Sequence, residues 1–188
     1  MTSSAELPLR YTPVRELMGH RGPVHGVVFN SDGKYCLSVG HDRTVKLWNP
    51  HKDAPEDPVL AAALAGAGGS TSFIRSAALS AGRAAQGLLV RSYDYPGNKE
   101  VLDVAVSGDS ARFAAVGGDK VAFVFDVTSG NILRRISGHQ ERINAVELNP
   151  KGSADVLFTG SYDGTVRVWD LRASSVSSHA ECEGREMQ

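Results

Sequence analysis

Apolar and polar positions alternate along this chain in short runs, and each run stops at a cluster of turn-forming residues. Val24, Val27 and Phe29 mark a first strand, Asn30-Ser31-Asp32-Gly33 a turn, and Tyr35 to Val39 a second strand. His41-Asp42-Arg43 then turns tightly into a third strand from Thr44 to Trp48. Asn, Asp and Gly suit such turns because they accept left-handed backbone, and Asn and Asp side chains bond to nearby main chain. The same order returns twice. One copy runs Val101 to Val106, Ser107-Gly108-Asp109-Ser110, Arg112 to Val116 and Val121 to Phe125. The other runs Ile143 to Leu148, Asn149-Pro150-Lys151-Gly152, Val156 to Thr159 and Thr165 to Trp169. Leu88 to Tyr93 and Asn131 to Ile136 read as the outer strands of the first and second copies. No stretch shows the 3.6-residue period of a helix, so the pattern predicts an all-β chain of four-stranded antiparallel units.

Each copy also carries a fixed set of punctuating residues. Gly19-His20 leads to Gly40-His41-Asp42-Arg43-Thr44-Val45-Lys46-Leu47-Trp48-Asn49. Gly138-His139 leads to Gly160-Ser161-Tyr162-Asp163-Gly164-Thr165-Val166-Arg167-Val168-Trp169-Asp170. Between them, Gly97-Asn98 leads to a worn version, Gly117-Gly118-Asp119-Lys120-Val121-Ala122-Phe123-Val124-Phe125-Asp126. In all three copies the Asp stands six residues before the closing aromatic.

A Gly-His, a turn Asp and a closing Trp-Asp at this spacing resemble the WD-repeat family of β-propellers. The resemblance implies a partial propeller of about three four-stranded blades. It also implies a buried polar chain in each blade, running from Trp through Ser or Thr and His to Asp. Trp offers only a donor and Asp only acceptors, whereas His and Ser or Thr do both, so every member of the chain finds a partner. The first copy holds the complete set His20, Ser38, Asp42 and Trp48, and the third holds His139, Thr159, Asp163 and Trp169. The second keeps Asp119 alone, with Asn98, Ala115 and Phe125 at the other positions, so it is expected to rest on apolar packing.

The period places an excess of residues in the first copy. Phe125 and Trp169 lie one ordinary repeat apart, but Trp48 and Phe125 are separated by much more. The surplus falls in 51–87, rich in Ala, Gly and Ser, and reads as a disordered insertion, a long surface loop or a retained intron. The chain thus divides into a flexible tail (1–13), a first repeat with a preceding outer strand (14–50), and the insertion (51–87). The outer strand of blade one and the degenerate second repeat follow (88–137), then the third repeat (138–172) and a flexible tail (173–188). In complete members of the family the strand Val14 to Met18 would serve as the outer strand of the last blade and close the ring. With three repeats where the family has about seven, the sequence reads as the N-terminal part of a propeller.

Composition narrows the function classes. A formal net charge of −1, with scattered basic residues, gives no electrostatic case for binding nucleic acid or a membrane surface. Two cysteines, Cys36 and Cys182, do not make a disulfide scaffold and read as free thiols of a cytoplasmic or nuclear protein. The remaining histidines, His25, His41, His51 and His179, show no metal-ligand spacing, and neither a metal nor a cofactor is expected. Ser, His and Asp together raise a hydrolase reading. Against it, the trio recurs with Thr for Ser, no Gly-x-Ser-x-Gly elbow is present, and the set would lie buried between strands. The expectation is therefore a non-enzymatic scaffold that binds other proteins. The candidate contacts are Arg21, His41, Arg43, Arg142 and Tyr162, in the turns before the first strands and between the second and third strands.

Several stretches are similar, more narrowly, to the mitogen-activated protein kinase organizer subgroup of WD-repeat proteins. They include Gly33-Lys34-Tyr35-Cys36-Leu37-Ser38, Lys46-Leu47-Trp48-Asn49-Pro50, Glu100-Val101-Leu102-Asp103 and Asp126-Val127-Thr128-Ser129-Gly130. That resemblance implies scaffolding of a kinase cascade, or as an alternative a structural role in pre-mRNA splicing complexes.

Overall fold

The structure is a computed structural model, and it describes residues 13–53, 85–149 and 155–172. All twelve elements among these residues are strands. They are β1 (Arg15–Glu16), β2 (Val24–Phe29), β3 (Cys36–Gly40), β4 (Thr44–Asp53), β5 (Ala85–Asp94) and β6 (Val101–Val106). The chain continues through β7 (Arg112–Gly117), β8 (Val121–Asp126), β9 (Ile132–Ser137), β10 (Ile143–Leu148), β11 (Val156–Ser161) and β12 (Val166–Asp170).

The strands make three sheets, ordered β1-β5-β4-β3-β2, β6-β7-β8-β9 and β10-β11-β12. Apart from β1, every pairing is an antiparallel meander between consecutive strands, the topology of propeller blades. The first strands β2, β6 and β10 lie beside one another, so the sheets stack as successive blades from their inner edges outward. Each first strand carries a bulge at the same place, at Val24/Gly26, Val101/Asp103 and Ile143/Ala145. The extra residue increases the local twist and re-aims the side chains after it.

Two apolar clusters hold the stack together. Leu37, Val39, Val45, Tyr93 and Tyr95 of the first sheet pack on Val101, Val104, Phe113, Ala115, Phe123 and Phe125 of the second. Ala105, Ala114, Val116, Ala122, Val124 and Ile136 pack in turn on Ile143, Val146, Leu148, Leu157 and Trp169 of the third. Polar bonds cross the same junctions. Asn30 Nδ2 donates to Ser110 Oγ at 3.2 Å, the Asp103 carboxylate accepts the Val146 N–H at 2.9 Å, and Arg112 reaches Asp155 at 3.2 Å.

Two features differ from the sequence expectation. β4 runs on to Asp53 and β5 starts at Ala85, so both ends of the stretch assigned to an insertion at 51–87 are strand, and Asp53 faces Gly87. Pro50 lacks an N–H, and Asn49 Oδ1 satisfies the next donors instead, taking those of His51 at 3.0 Å and Lys52 at 3.2 Å. Second, the strand expected over Val14 to Met18 is confined to Arg15–Glu16. It pairs in parallel with Ala85 and Gln86 of its own sheet, making five strands where four were expected. Among the described residues the last sheet has three strands, with β12 at its edge. The expectations for 1–12, for 54–84 and for 173–188 lie outside the described residues.

Candidate functional site

The candidate site is the rim where the β3–β4, β7–β8 and β11–β12 turns meet the segments that lead into β2, β6 and β10. Main-chain bonds zip the two together alike in every sheet: His41 N–H to Pro23 O at 2.9 Å, Gly118 to Glu100 at 3.0 Å, and Tyr162 to Arg142 at 2.9 Å.

Beneath the rim sit the side-chain networks. In the first sheet Trp48 Nε1 donates to Ser38 Oγ at 2.8 Å, and that oxygen lies 2.7 Å from His20 Nε2. His20 Nδ1 stands 3.0 Å from each oxygen of Asp42. In the third, Trp169 Nε1 donates to Thr159 Oγ1 at 2.8 Å, which lies 2.8 Å from His139 Nε2, while His139 Nδ1 is 2.8 Å from Asp163. One tautomer gives every proton an acceptor: the hydroxyl donates to Nε2, and Nδ1–H donates to the carboxylate. The imidazoles lie near the indoles, with ring centroids 6.4 Å and 6.1 Å apart. The small residue of the Gly-His pair makes this possible. A Cβ on Gly19 or Gly138 would stand 3.0 Å from the Cη2 atom of Trp48 or Trp169.

The carboxylates do more than orient the histidines. Asp42 also accepts from the Arg21 N–H at 2.9 Å, the Thr44 N–H at 3.2 Å and the Thr44 hydroxyl at 2.8 Å. Asp163 accepts from Gln140 N–H and Thr165 N–H at 3.0 Å each and from the Thr165 hydroxyl at 2.7 Å. Burial pushes the Asp42 carboxyl up, but the Arg21, His20 and Thr44 donors together outweigh it and bring its pKa down to about 2. The same opposition lowers Asp163 further. Thr44 and Thr165 are members the sequence reading missed. The signal was there, since Thr stands two residues after the Asp in both complete copies and Val121 replaces it in the worn one.

In the second sheet Asp119 retains the main-chain bond, accepting from Lys99 N–H at 3.0 Å. Aromatic packing occupies the rest of that space. Phe113 stacks on Phe125 with centroids 4.8 Å apart and planes at 6°, and Tyr95 meets Phe123 edge-on at 5.2 Å. The Tyr95 hydroxyl donates to Val121 O at 3.2 Å, and burial pushes its pKa above the ordinary tyrosine value.

The candidate partner contacts form two groups on the rim. Arg142 lies over the ring of Tyr162, guanidinium carbon to centroid 4.7 Å, and Tyr162 is 69% exposed. His41 meets His25 edge-on at 6.4 Å, flanked by exposed Arg21 and Arg43. Arg43 holds a left-handed conformation, φ 59°, where the third copy has Gly164 at φ 81°. Lys120 lies between the groups and approaches Glu141 at 3.9 Å.

At the opposite end, a cleft of about 470 Å³ opens between the first two sheets. Leu37, Leu47 and Val106 floor it, and Asp32 and Asp109 stand at its edge. The sequence pattern held no sign of it, because its walls come from neighbouring copies. Cys36 lines the cleft; burial raises its thiol above the usual value. Cys182 lies outside the described residues. Among the described residues no group of three His, Cys, Asp or Glu side chains is placed to hold a metal ion, and no helix is long and apolar enough to cross a membrane.

Stacked antiparallel meanders, the first and third pinned by a Trp–Ser/Thr–His–Asp chain, define the blades of a WD-type β-propeller. The family model "WD domain, G-beta repeat" matches residues 11–49 and 130–170, so the chain carries WD40 repeats and its fold is a partial propeller of that kind. The unmatched middle contains the worn copy. The chain is 28% identical, over 86% of its length, to the WD repeat domain-containing protein 83 homolog of Dictyostelium discoideum. It is 28% identical, over 88% of its length, to the ribosome biogenesis protein YTM1 of Saccharomyces cerevisiae. It is 26% identical, over 88% of its length, to a p21-activated protein kinase-interacting protein 1-like protein of Danio rerio. It spans 38%, 29% and 46% of those three proteins, respectively. WD40 domains of this kind mediate protein–protein interactions, and no catalytic family is indicated.

Proposed function

We propose that this chain is a non-enzymatic scaffold that gathers other proteins on its rim, in mitogen-activated kinase signalling within the cytoplasm or nucleus. The observation that carries the binding reading is the exposed Arg142–Tyr162 stack, with Arg21, His41 and Arg43 on the same rim two blades away. Arg and Tyr are enriched at interface hot spots because each joins a large contact area to a polar end. The kinase-cascade assignment rests on the sequence resemblance to the organizer subgroup, which equally supports the alternative of a structural subunit in pre-mRNA splicing complexes.

The networks favour a structural over a hydrolytic role. Ser38, His20 and Asp42 have the connectivity of a catalytic triad, yet Ser38 is 5% exposed and its oxygen already receives the Trp48 N–H. A nucleophile must be within reach of substrate, and this hydroxyl is buried with one of its two lone pairs engaged by the Trp48 indole.

The test is a pull-down from cell extract with Arg21, Arg43 and Tyr162 changed together to Ala. Loss of co-purifying proteins with an unchanged β-type circular dichroism spectrum is the expected result. Retention of every partner by the folded triple variant would refute the rim reading.

A further inference from the structure

Strand β9 is the outermost strand of the middle sheet, and its sequence, Ile132-Leu133-Arg134-Arg135-Ile136-Ser137, carries a pattern the rim does not use. The chain's only pair of adjacent arginines stands here, and a serine follows it after one residue. Ile136 alone in the strand is buried, at 2% exposure, within the cluster that joins the second and third sheets. It anchors the strand while Arg134, Arg135 and Ser137 stay exposed, and strand alternation puts Arg135 and Ser137 on one face. On its outer side β9 has no ladder partner among the described residues.

The polar groups of this strand are uncommitted to other side chains. Arg134 bonds two main-chain carbonyls, those of Leu133 at 2.8 Å and Leu171 at 3.4 Å. Among the described residues neither arginine makes an ion pair, and the Ser137 hydroxyl has no hydrogen-bond partner. The hydroxyls of Ser38 and Thr159, in contrast, are locked inside the networks. The other two copies place Met18 and Pro96 at the position of Ser137, so this hydroxyl belongs to the third Gly-His alone.

We infer that Ser137 is a phosphorylation site, for a protein kinase whose substrate groove reads the two arginines ahead of the acceptor through its own carboxylates. Guanidinium and carboxylate pair in a forked, charge-assisted geometry that fixes register as well as affinity. The edge strand already holds its backbone extended, so the segment needs little ordering to enter such a groove. In the transfer, Ser137 Oγ bonds to the γ-phosphorus of ATP as the bond from that phosphorus to the β–γ bridging oxygen breaks. ADP leaves with the electron pair, and the hydroxyl proton passes to the catalytic aspartate of the kinase. The ester costs the fold no hydrogen bond between described residues, and its negative charge lies on the strand face that carries Arg135.

The test is incubation of the full chain with magnesium, ATP and the catalytic subunit of cyclic-AMP-dependent protein kinase, a kinase with an acidic groove of this kind, followed by intact mass. The expected product carries one phosphate, placed on Ser137 by fragmentation, and keeps a β-type circular dichroism spectrum. It should form at a rate within about tenfold of that for a peptide of residues 131–140, because the strand presents the segment ready extended. Ser137→Ala should remove that phosphate, and Arg134→Ala and Arg135→Ala should each lower kcat/KM about tenfold, the loss of one charge-assisted pair. All three side chains are exposed, so the variants should fold as wild type does. A chain labelled more than about tenfold more slowly than the peptide would overturn the inference, because the folded strand would then hide the site. So would full labelling of Ser137→Ala, a rate unmoved by either arginine variant, or a product that loses its β-type spectrum.

Discussion

Replacing Asp163 with alanine removes an acceptor from four donors at once, and the structure says which of the four matters. The Gln140 N–H and the two Thr165 donors lie toward the rim, where water replaces the lost carboxylate, so together they cost about 1 kcal/mol. The His139 side chain is 0% exposed, so its Nδ1–H keeps only the Thr165 hydroxyl, 3.4 Å away, as an acceptor. A buried donor left with so long a bond costs about 1–3 kcal/mol, which brings the total to about 2–4 kcal/mol. Asp119 has the equivalent position in the worn copy but accepts one described bond, from the exposed N–H of Lys99. Its replacement by alanine should cost about 1 kcal/mol. Equilibrium urea unfolding followed by tryptophan fluorescence measures both, because Trp48 and Trp169 are the chain's two tryptophans and each ends a network. At an ordinary slope for a small protein, the Asp163→Ala midpoint should fall about 1 M further than the Asp119→Ala midpoint. Equal shifts for the two variants would refute the claim that the polar chain, rather than the turn alone, supports the blade.

Two further predictions follow from the rim. Asp42 has a folded pKa of about 2 against about 3.9 for a free aspartate, so it binds fewer protons folded than unfolded through that range. Its contribution of about 2 kcal/mol is complete above about pH 5 and is lost as pH falls toward 2. Asp163 acts in the same direction. Denaturant midpoints that stay flat from pH 5 to pH 2 would contradict this. Arg43 occupies a conformation that glycine adopts without cost, as Gly164 does in the third copy. Arg43→Gly should leave stability unchanged or raise it by about 1 kcal/mol while weakening partner capture; a melting loss would show that the side chain supports the turn.

The blades were legible because their chemistry is local in pattern. The Trp48–Ser38–His20–Asp42 chain needs fixed residue types at fixed strand positions, and the alternation around it sets which face is buried. What escaped was set by partners distant in sequence or by main-chain groups. Asp103 looks like an ordinary strand residue until its acceptor role for Val146 N–H, 43 residues away, appears in space. β1 was legible as a short strand, but strand pattern carries no information about which sheet edge it joins. β4 extends past Pro50 because the Asn49 side chain takes over the bonding there, which a proline normally makes a reason to stop.

The Asp residues hold the rim through the position after each Gly-His or Gly-Asn, and they hold it by its main-chain N–H: Arg21, Lys99 and Gln140. Every amino acid but proline owns that group. The side chain at this position takes no part in that bond, and the three copies fill it with a guanidinium, an ammonium and an amide, the last reaching Gly138 O at 3.3 Å. Stability and specificity are written in separate alphabets at adjoining positions. The vocabulary the rim offers a partner can be rewritten residue by residue without loosening the blade beneath it.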